Sequence, residues 1–343
     1  MKAAVIKRKG VFAIEDVPEP NCGLERIKVK IKYCGICGTD PEILEERFGL
    51  FKGRTPRQGD SGPAVIGHEA CGTIAEIGKD CNLGYKVGQR VAMNFRSACG
   101  KCYYCRNKME HFCTRAIGAT GAYAEYAVYH EADIYPLSDS ISWELAALLE
   151  PISVAIHIMD QANIIPGRSV AISGAGPIGL LTLQLAIKSG ATKVMVSEPI
   201  EFKREVARKL GADLTIDPFK EDVIKSGKEF TSGHGFDTVI DASGDLDAAR
   251  QSIYLADKCG TVVWAAVYAY DKDIPINPFF LYANELNIRS VFTAPYAFLR
   301  AFAVLPKLDL DPIITDIVAL KDVQAAFEKH RQGKSIKTLL KMY

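Results

Sequence analysis

Four cysteines stand at Cys99, Cys102, Cys105 and Cys113, a C-x2-C-x2-C-x7-C run. Four thiolates this close suit a closed tetrahedral zinc site, which gives a fixed shape to a loop that has no strands of its own. A pair of disulfides, or four unrelated cysteines, is the competing explanation, and nothing else in the chain marks it as secreted. Such a lobe directs the search to a second metal site with an open position. Gly35-Ile36-Cys37-Gly38-Thr39-Asp40 packs a thiol, a hydroxyl and a carboxylate between glycines, although a glycine-rich turn before a helix accounts for it equally well. Gly67-His68-Glu69 then runs into a strand. A lone histidine there is usually a satisfied core residue, but Cys37, His68 and Glu69 together offer the S, N and O donors of a catalytic zinc. Asp40 would hold the other ring nitrogen of His68. Glu150 sits in an apolar run just before Pro151, where it faces either solvent at a helix end or a metal or substrate.

The elements that must position these groups fall into two rhythms. Residues 1 to about 35 alternate with period two, as AAVIK, FAIEDV and RIKVKIKYC, and predict an antiparallel barrel. The polar stretch 48–63, with Arg54 and Arg57, reads as surface loop or substrate-facing flap. GAYAEYAVYHEADIYPL gives two more strands, and 143–157 gives helix, proline break, helix. From Gly167 the pattern becomes strand, turn, helix. There Gly174, Gly176, Pro177, Ile178 and Gly179 form a G-x-G-x-x-G that follows the strand SVAIS and opens a helix. Glu198 ends the next strand about 20 residues on, where an acid meets the ribose hydroxyls of NAD. It would repel a 2′-phosphate, so NAD is expected over NADP, with Lys203 and Arg204 as the opposing basic groups. A helix is predicted over 245–260, and the alternation continues as a doubly wound parallel sheet.

With 343 residues the chain exceeds one ordinary core, so two domains are expected. A net charge of +1 gives no electrostatic case for nucleic acid or an anionic membrane. No apolar run reaches membrane-span length and the N-terminus has no h-region. Cys22, Cys34, Cys71, Cys81 and Cys259 lie singly and read as reduced packing or surface residues, which fits a cytoplasmic setting.

In this order the motifs resemble the zinc-containing medium-chain alcohol dehydrogenase family, in its polyol, threonine and sugar dehydrogenase branch. They are GICGTD (35–40), G-H-E-x2-G-x5-G (67–78), the four-cysteine lobe, Glu150-Pro151 and the G-x-G-x-x-G. The resemblance implies an α/β fold with a GroES-like catalytic β-barrel domain over 1–155, including a structural zinc lobe at 96–116. A Rossmann NAD-binding domain over 156–290 and a return to the catalytic domain over 291–343 follow, with active-site zinc in the cleft between. It implies that Cys37 and His68 are zinc ligands, with Glu69 and Glu150 ligating directly or from just outside. Thr39 relays the alcohol proton and Glu42 stands at the outer end of that relay, where many relatives have histidine. Ala265, Val267, Val291 and Thr293 flank the nicotinamide. Thr293-Ala294 replaces an Arg-Tyr pair that grips polyol hydroxyls. Arg96 either approaches the cleft or makes a surface salt bridge. The implied activity is zinc-dependent, NAD(P)-linked oxidation of a secondary alcohol by a homo-oligomer, tetramer or dimer. A zinc-free quinone or enone reductase and a non-catalytic NAD-binding protein are the alternatives.

Overall fold

The computed structural model describes residues 1–46 and 64–343, so the expectations for Arg54, Arg57 and the 48–63 loop fall outside the described residues. The chain forms two compact units, Met1–Glu150 with Ile314–Tyr343, and Pro151–Ile313.

The first unit opens with an antiparallel hairpin of β1 (Lys2–Arg8) and β2 (Val11–Asp16). β3 (Arg26–Gly35) leads into the short helix α1 (Thr39–Leu44). β4 (Glu69–Ile77), β5 (Arg90–Met93), β6 (Arg96–Ser97), α2 (Tyr103–Arg106), β7 (Ile117–Gly118), β8 (Tyr126–His130), β9 (Ile134–Pro136) and α3 (Trp143–Ala146) complete its N-terminal part. α4 (Leu149–Ala162) starts at the end of the first unit and continues into the second, where it precedes β10 (Ser169–Ser173), α5 (Pro177–Lys188), β11 (Lys193–Ser197), α6 (Glu201–Lys209) and β12 (Leu214–Ile216). Then come α7 (Val223–Phe230), β13 (Phe236–Asp241), α8 (Leu246–Leu255), β14 (Ala256–Trp264), α9 (Pro278–Asn284), β15 (Asn287–Ser290) and α10 (Phe298–Val304). β16 (Ile314–Ala319), α11 (Val323–Arg331) and β17 (Lys337–Lys341) return to the first unit.

β3 is the centre of the first unit. Its period-two sequence buries Ile27, Val29 and Ile31 completely and leaves Lys28, Lys30 and Lys32 partly out. Burying each isoleucine contributes about 1.5–3 kcal/mol. The sheet runs β16-β17-β3-β4-β5-β9, with β8 also on β3. The C-terminal return supplies part of the same core: Phe327 of α11 meets Phe12 at 4.8 Å and Tyr123 at 6.0 Å, ring to ring.

The second unit is a parallel six-stranded sheet in the order β12-β11-β10-β13-β14-β15. Its inner strands are near-continuous apolar runs, as strands covered on both faces must be; β13 buries all but one of its residues. The mixed α/β architecture expected from the sequence is present. The unit boundaries lie elsewhere than expected: residues 151–155 go with the second unit, and so do 291–313. Val291 N donates to Trp264 O at 3.1 Å, and Gln184 exchanges hydrogen bonds with the Asp309 backbone at 3.0 and 2.7 Å.

Two local expectations change. Pro151 does not break the helix pair; it lies in the first turn of α4, where its missing N–H costs nothing because first-turn donors have no intrahelical partner. The helix expected over 245–260 stops at Leu255. Residues 256–259 enter β14 through a register shift against β13, with Cys259 at a φ of 60°.

Candidate active site

The four lobe cysteines cluster between β6 and β7. Cys102 Sγ lies 3.5 Å from Cys105 Sγ and 3.9 Å from Cys113 Sγ, and Cys99 Sγ is 3.9 Å from Cys105 Sγ. A disulfide needs sulfurs about 2 Å apart. Tetrahedral zinc with bonds of about 2.3 Å needs edges of roughly 3.8 Å, so the sulfurs fit the ion. All ten cysteines are free thiols. Backbone amides already face the sulfurs: the N–H groups of Cys99 and Arg115 point to Cys113 Sγ at 3.3 and 3.4 Å. Backbone donors at Cys105 and Thr114 pull the Cys102 thiol down to about 5. Desolvation and its sulfur neighbours push Cys105 up to about 12. One thiolate thus disfavours the next, and a cation at the centre removes that conflict. Arg96 donates to Cys113 O at 2.8 Å and braces the lobe, and among the described residues it makes no ion pair.

The second donor set is built where β3 ends and β4 begins. The antiparallel register pairs Gly35 with Glu69, which brings the turn after β3 and the residue before β4 together. Glycine at 35 leaves room for the Glu69 carboxylate, because a Cβ there would meet Glu69 Oε2 at 2.0 Å and displace it. The donor atoms of Cys37, His68 and Glu69 all lie within 4.8 Å of one another. Asp40, at the start of α1, is fully buried and fixes the turn. Its Oδ2 accepts from Cys37 N at 2.9 Å and from the Tyr123 hydroxyl at 2.6 Å, while Oδ1 lies 3.5 Å from His68 Nδ1 and has no hydrogen-bond partner within normal range. Burial alone would raise the Asp40 carboxyl; His68, Tyr123 and the Cys37 N–H together hold it below the ordinary value. Desolvation would lower His68, yet the negative charge of Asp40 and Cys37 raises it well above the ordinary imidazole value. A site that forces a proton onto its histidine is one whose negative field a metal cation satisfies. Phe95 stacks against the same imidazole, 5.3 Å away and tilted by 57°.

Glu69 does not stand free beside these donors. Lys337 Nζ reaches both of its carboxylate oxygens, at 2.8 and 2.7 Å, and also donates to Ile36 O at 2.8 Å. Both side chains are 2% exposed. Glu150 falls outside the 4.8 Å cluster but is electrostatically coupled to it. Burial, with Glu69 and Asp40 adding to it, pushes its carboxyl up to about 7 against the lowering effect of His68 and Lys337. The Thr39 hydroxyl lies 3.3 Å from Cys37 Sγ, and Glu42 follows on α1, half-buried.

The remaining expected residues gather at the carboxyl ends of the parallel strands, in the second unit. Gly174 follows β10 with a φ of 94°, and Pro177 opens α5 behind Gly176. Gly179 must be glycine, since a Cβ would come within 2.0 Å of Gly174 O. Glu198 is buried, and its two oxygens accept from Ala175 N at 2.8 Å and Ile200 N at 3.1 Å. Lys203 is half-buried, and desolvation lowers its pKa. Arg204 is committed elsewhere, to Glu198 O at 2.5 Å and to Asp217 at 3.2 Å. Ala265 and Val267 follow β14, and Val291 and Thr293 follow β15, with Thr293 at a φ of 55°.

Sequence reasoning missed Lys337 and Tyr123. A lysine in the strand SIKTLLK looks like an outward residue of an alternating pattern. The available signal was the buried acid that needed a cation. Tyr123 gives no sign of its role, because an aromatic in GAYAEY is explained by packing alone.

Comparison with known proteins places these features in context. The alcohol dehydrogenase GroES-like domain model matches residues 23–139, and the zinc-binding dehydrogenase model matches residues 177–305. The L-threonine 3-dehydrogenase of Pyrococcus abyssi is 35% identical, covering 98% of this chain and 97% of that one. The D-arabitol-phosphate dehydrogenase of Enterococcus avium is 33% identical, covering 96% of this chain and 93% of the other. A zinc-binding dehydrogenase of Sinorhizobium meliloti 1021, solved bound to NADP, superposes with a TM-score of 0.91 at 29% identity and covers 99% of each chain.

Proposed function

We propose that this chain, which belongs to the zinc-type medium-chain alcohol dehydrogenase family, oxidises a secondary alcohol of a polyol, sugar, sugar acid or amino alcohol to the carbonyl. The observation that carries this reading is the convergence of Cys37, His68 and Glu69 within 4.8 Å, with Asp40 behind the histidine and Lys337 behind the glutamate. Zinc held there supplies Lewis acidity that lets an alcohol hydroxyl lose its proton near neutral pH. A nicotinamide dinucleotide supplies the hydride acceptor.

The chain's own residues have divided roles. Cys37 and His68 hold the metal, and Asp40 fixes the ring of His68. Glu150, protonated or not near pH 7, is the carboxylate whose burial is relieved by facing the metal side. Glu69 acts from outside, because Lys337 already takes both its oxygens. The Thr39 hydroxyl, now directed at Cys37 Sγ, receives the substrate proton and passes it outward towards Glu42. The glycine loop and Glu198 hold the dinucleotide. The burial of Glu198 and the commitment of Arg204 to Glu198 O and Asp217 support NAD over NADP, although the relative from S. meliloti holds NADP.

Ten free cysteines support a reducing, cytoplasmic setting. No described helix is long and apolar enough to cross a membrane. Assembly into a dimer or tetramer is supported by the outer strand β15 and by α9 before it, which leaves Phe279 71% and Tyr282 80% exposed.

The test is a metal count followed by a substrate panel. Purified protein is expected to carry about two zinc per chain. It is expected to reduce NAD with at least one of threonine, short diols, pentitols, aldoses or sugar acids, followed by the absorbance of the reduced cofactor. Full turnover in metal-free protein would overturn the zinc reading. No reduction of either cofactor by zinc-loaded protein across the panel would overturn the substrate class.

A further inference from the structure

We propose that Asp241 and Tyr268 are positioning residues, a buried carboxylate–phenol clasp that sets the backbone against which the nicotinamide half of the dinucleotide rests. The proposal rests on the cofactor reading above and adds to it two residues that no motif marks.

Asp241 is the last residue of β13 and is fully buried. One oxygen, Oδ1, is taken by Ser243, whose hydroxyl donates at 2.6 Å and whose N–H donates at 3.3 Å. The other, Oδ2, accepts a short hydrogen bond from the Tyr268 hydroxyl. The backbone of the same residue makes a further tie, since Ala265 N donates to Asp241 O at 2.8 Å. The segment 265–268, which leaves β14, is therefore fastened at both ends to one residue of the neighbouring strand. Its Tyr268 ring also packs edge-on to Trp264 at 6.4 Å. Midway, Val267 O passes so close to Gly244 that a Cβ there would lie 3.0 Å from it.

The clasp stands beside the glycine loop. β10 and β13 pair Ser173 with Asp241, and Ala242 N donates to Ser173 O at 2.9 Å. A Cβ on Gly174 would lie 3.0 Å from Ser243 Cα. The carboxyl ends of parallel strands are where a doubly wound sheet takes its ligand. The family resemblance implies that the two halves of a dinucleotide meet different residues there: the glycine loop and Glu198 the adenosine and pyrophosphate, and the segment after β14 the nicotinamide. A buried carboxylate satisfied by three neutral donors is a costly way to stop a strand, and a serine or amide would end it more cheaply. What the carboxylate adds is a second acceptor oxygen. One oxygen holds its own loop while the other holds the loop of β14.

The experiment compares NADH with ADP-ribose, which lacks the nicotinamide ring, by titration calorimetry on the full-length protein. Y268F removes only the hydroxyl. Y268F is expected to bind NADH about three- to tenfold more weakly and ADP-ribose unchanged, as the loss of one hydrogen bond to a charged group would give when part of it reaches the ligand. Equal weakening of both ligands in Y268F, or no weakening of either, would overturn the clasp. Wild-type protein that binds neither ligand would overturn the cofactor reading, and the clasp with it.

Discussion

Lys337 carries its charge at a position 1% exposed, with both Glu69 oxygens and Ile36 O around its ammonium group. A pair of this kind repays its desolvation only while both partners are present. K337M should therefore leave Glu69 as an uncompensated buried carboxylate. The expected loss is about 3 kcal/mol or more of unfolding free energy, read from urea denaturation. The double variant K337M/E69L should recover much of that loss, since it removes both charges. Recovery would separate the cost of a stranded charge from the cost of a lost contact. A K337M protein as stable as the wild type would mean that the pair contributes little to the fold. For the donors themselves, C37S is expected to lower the zinc count from about two per chain to about one, with the lobe ion retained.

Elements decide how these residues meet, and one tie between elements responds to pH. Asp133, in the turn before β9, is buried, and its Oδ2 accepts from the Ser97 hydroxyl of β6 at 2.6 Å. Burial pushes its carboxyl from 3.8 up to about 7. The folded chain thus holds a proton that the unfolded chain releases near pH 4, so between about pH 4 and 7 this group subtracts stability as pH rises. D133N has no proton to lose there. Its stability relative to wild type should climb from pH 5 to pH 7 in urea unfolding, and a constant difference would refute the assignment. The strands of the first unit were legible because β3 alternates and because β1 and β2 are short runs rich in apolar residues that meet at a Gly10 turn, and the parallel strands were legible because they are short apolar runs between turn residues. The end of α8 was not. Residues 256–259 are polar enough to finish a helix on paper, and only pairing with β13 draws them into β14. At the site, Cys37, His68 and the lobe cysteines were legible from donor type and spacing. Lys337 and the Asp241–Tyr268 pair were not, since each is defined by a partner far away in sequence.

At the scale of the whole chain, the first unit is discontinuous. β17 lies between β16 and β3, so residues after 313 complete a sheet whose other strands come mostly before residue 137. A chain stopped after Ile336 should lose more than K337M does, because β3 loses a neighbour as well as Glu69 its cation. The expected result is no cooperative unfolding transition from the first unit and no zinc at Cys37 and His68. The same discontinuity sets an order of events during synthesis. The lobe cysteines lie within 14 positions of one another, so the ribosome delivers all four within about a few seconds. Lys337 follows Glu69 by 268 positions, a delay on the order of tens of seconds. For that interval the newborn chain has all four lobe cysteines but leaves Glu69 without its cation. The surroundings of the candidate site are completed last, after most of the first unit has been made.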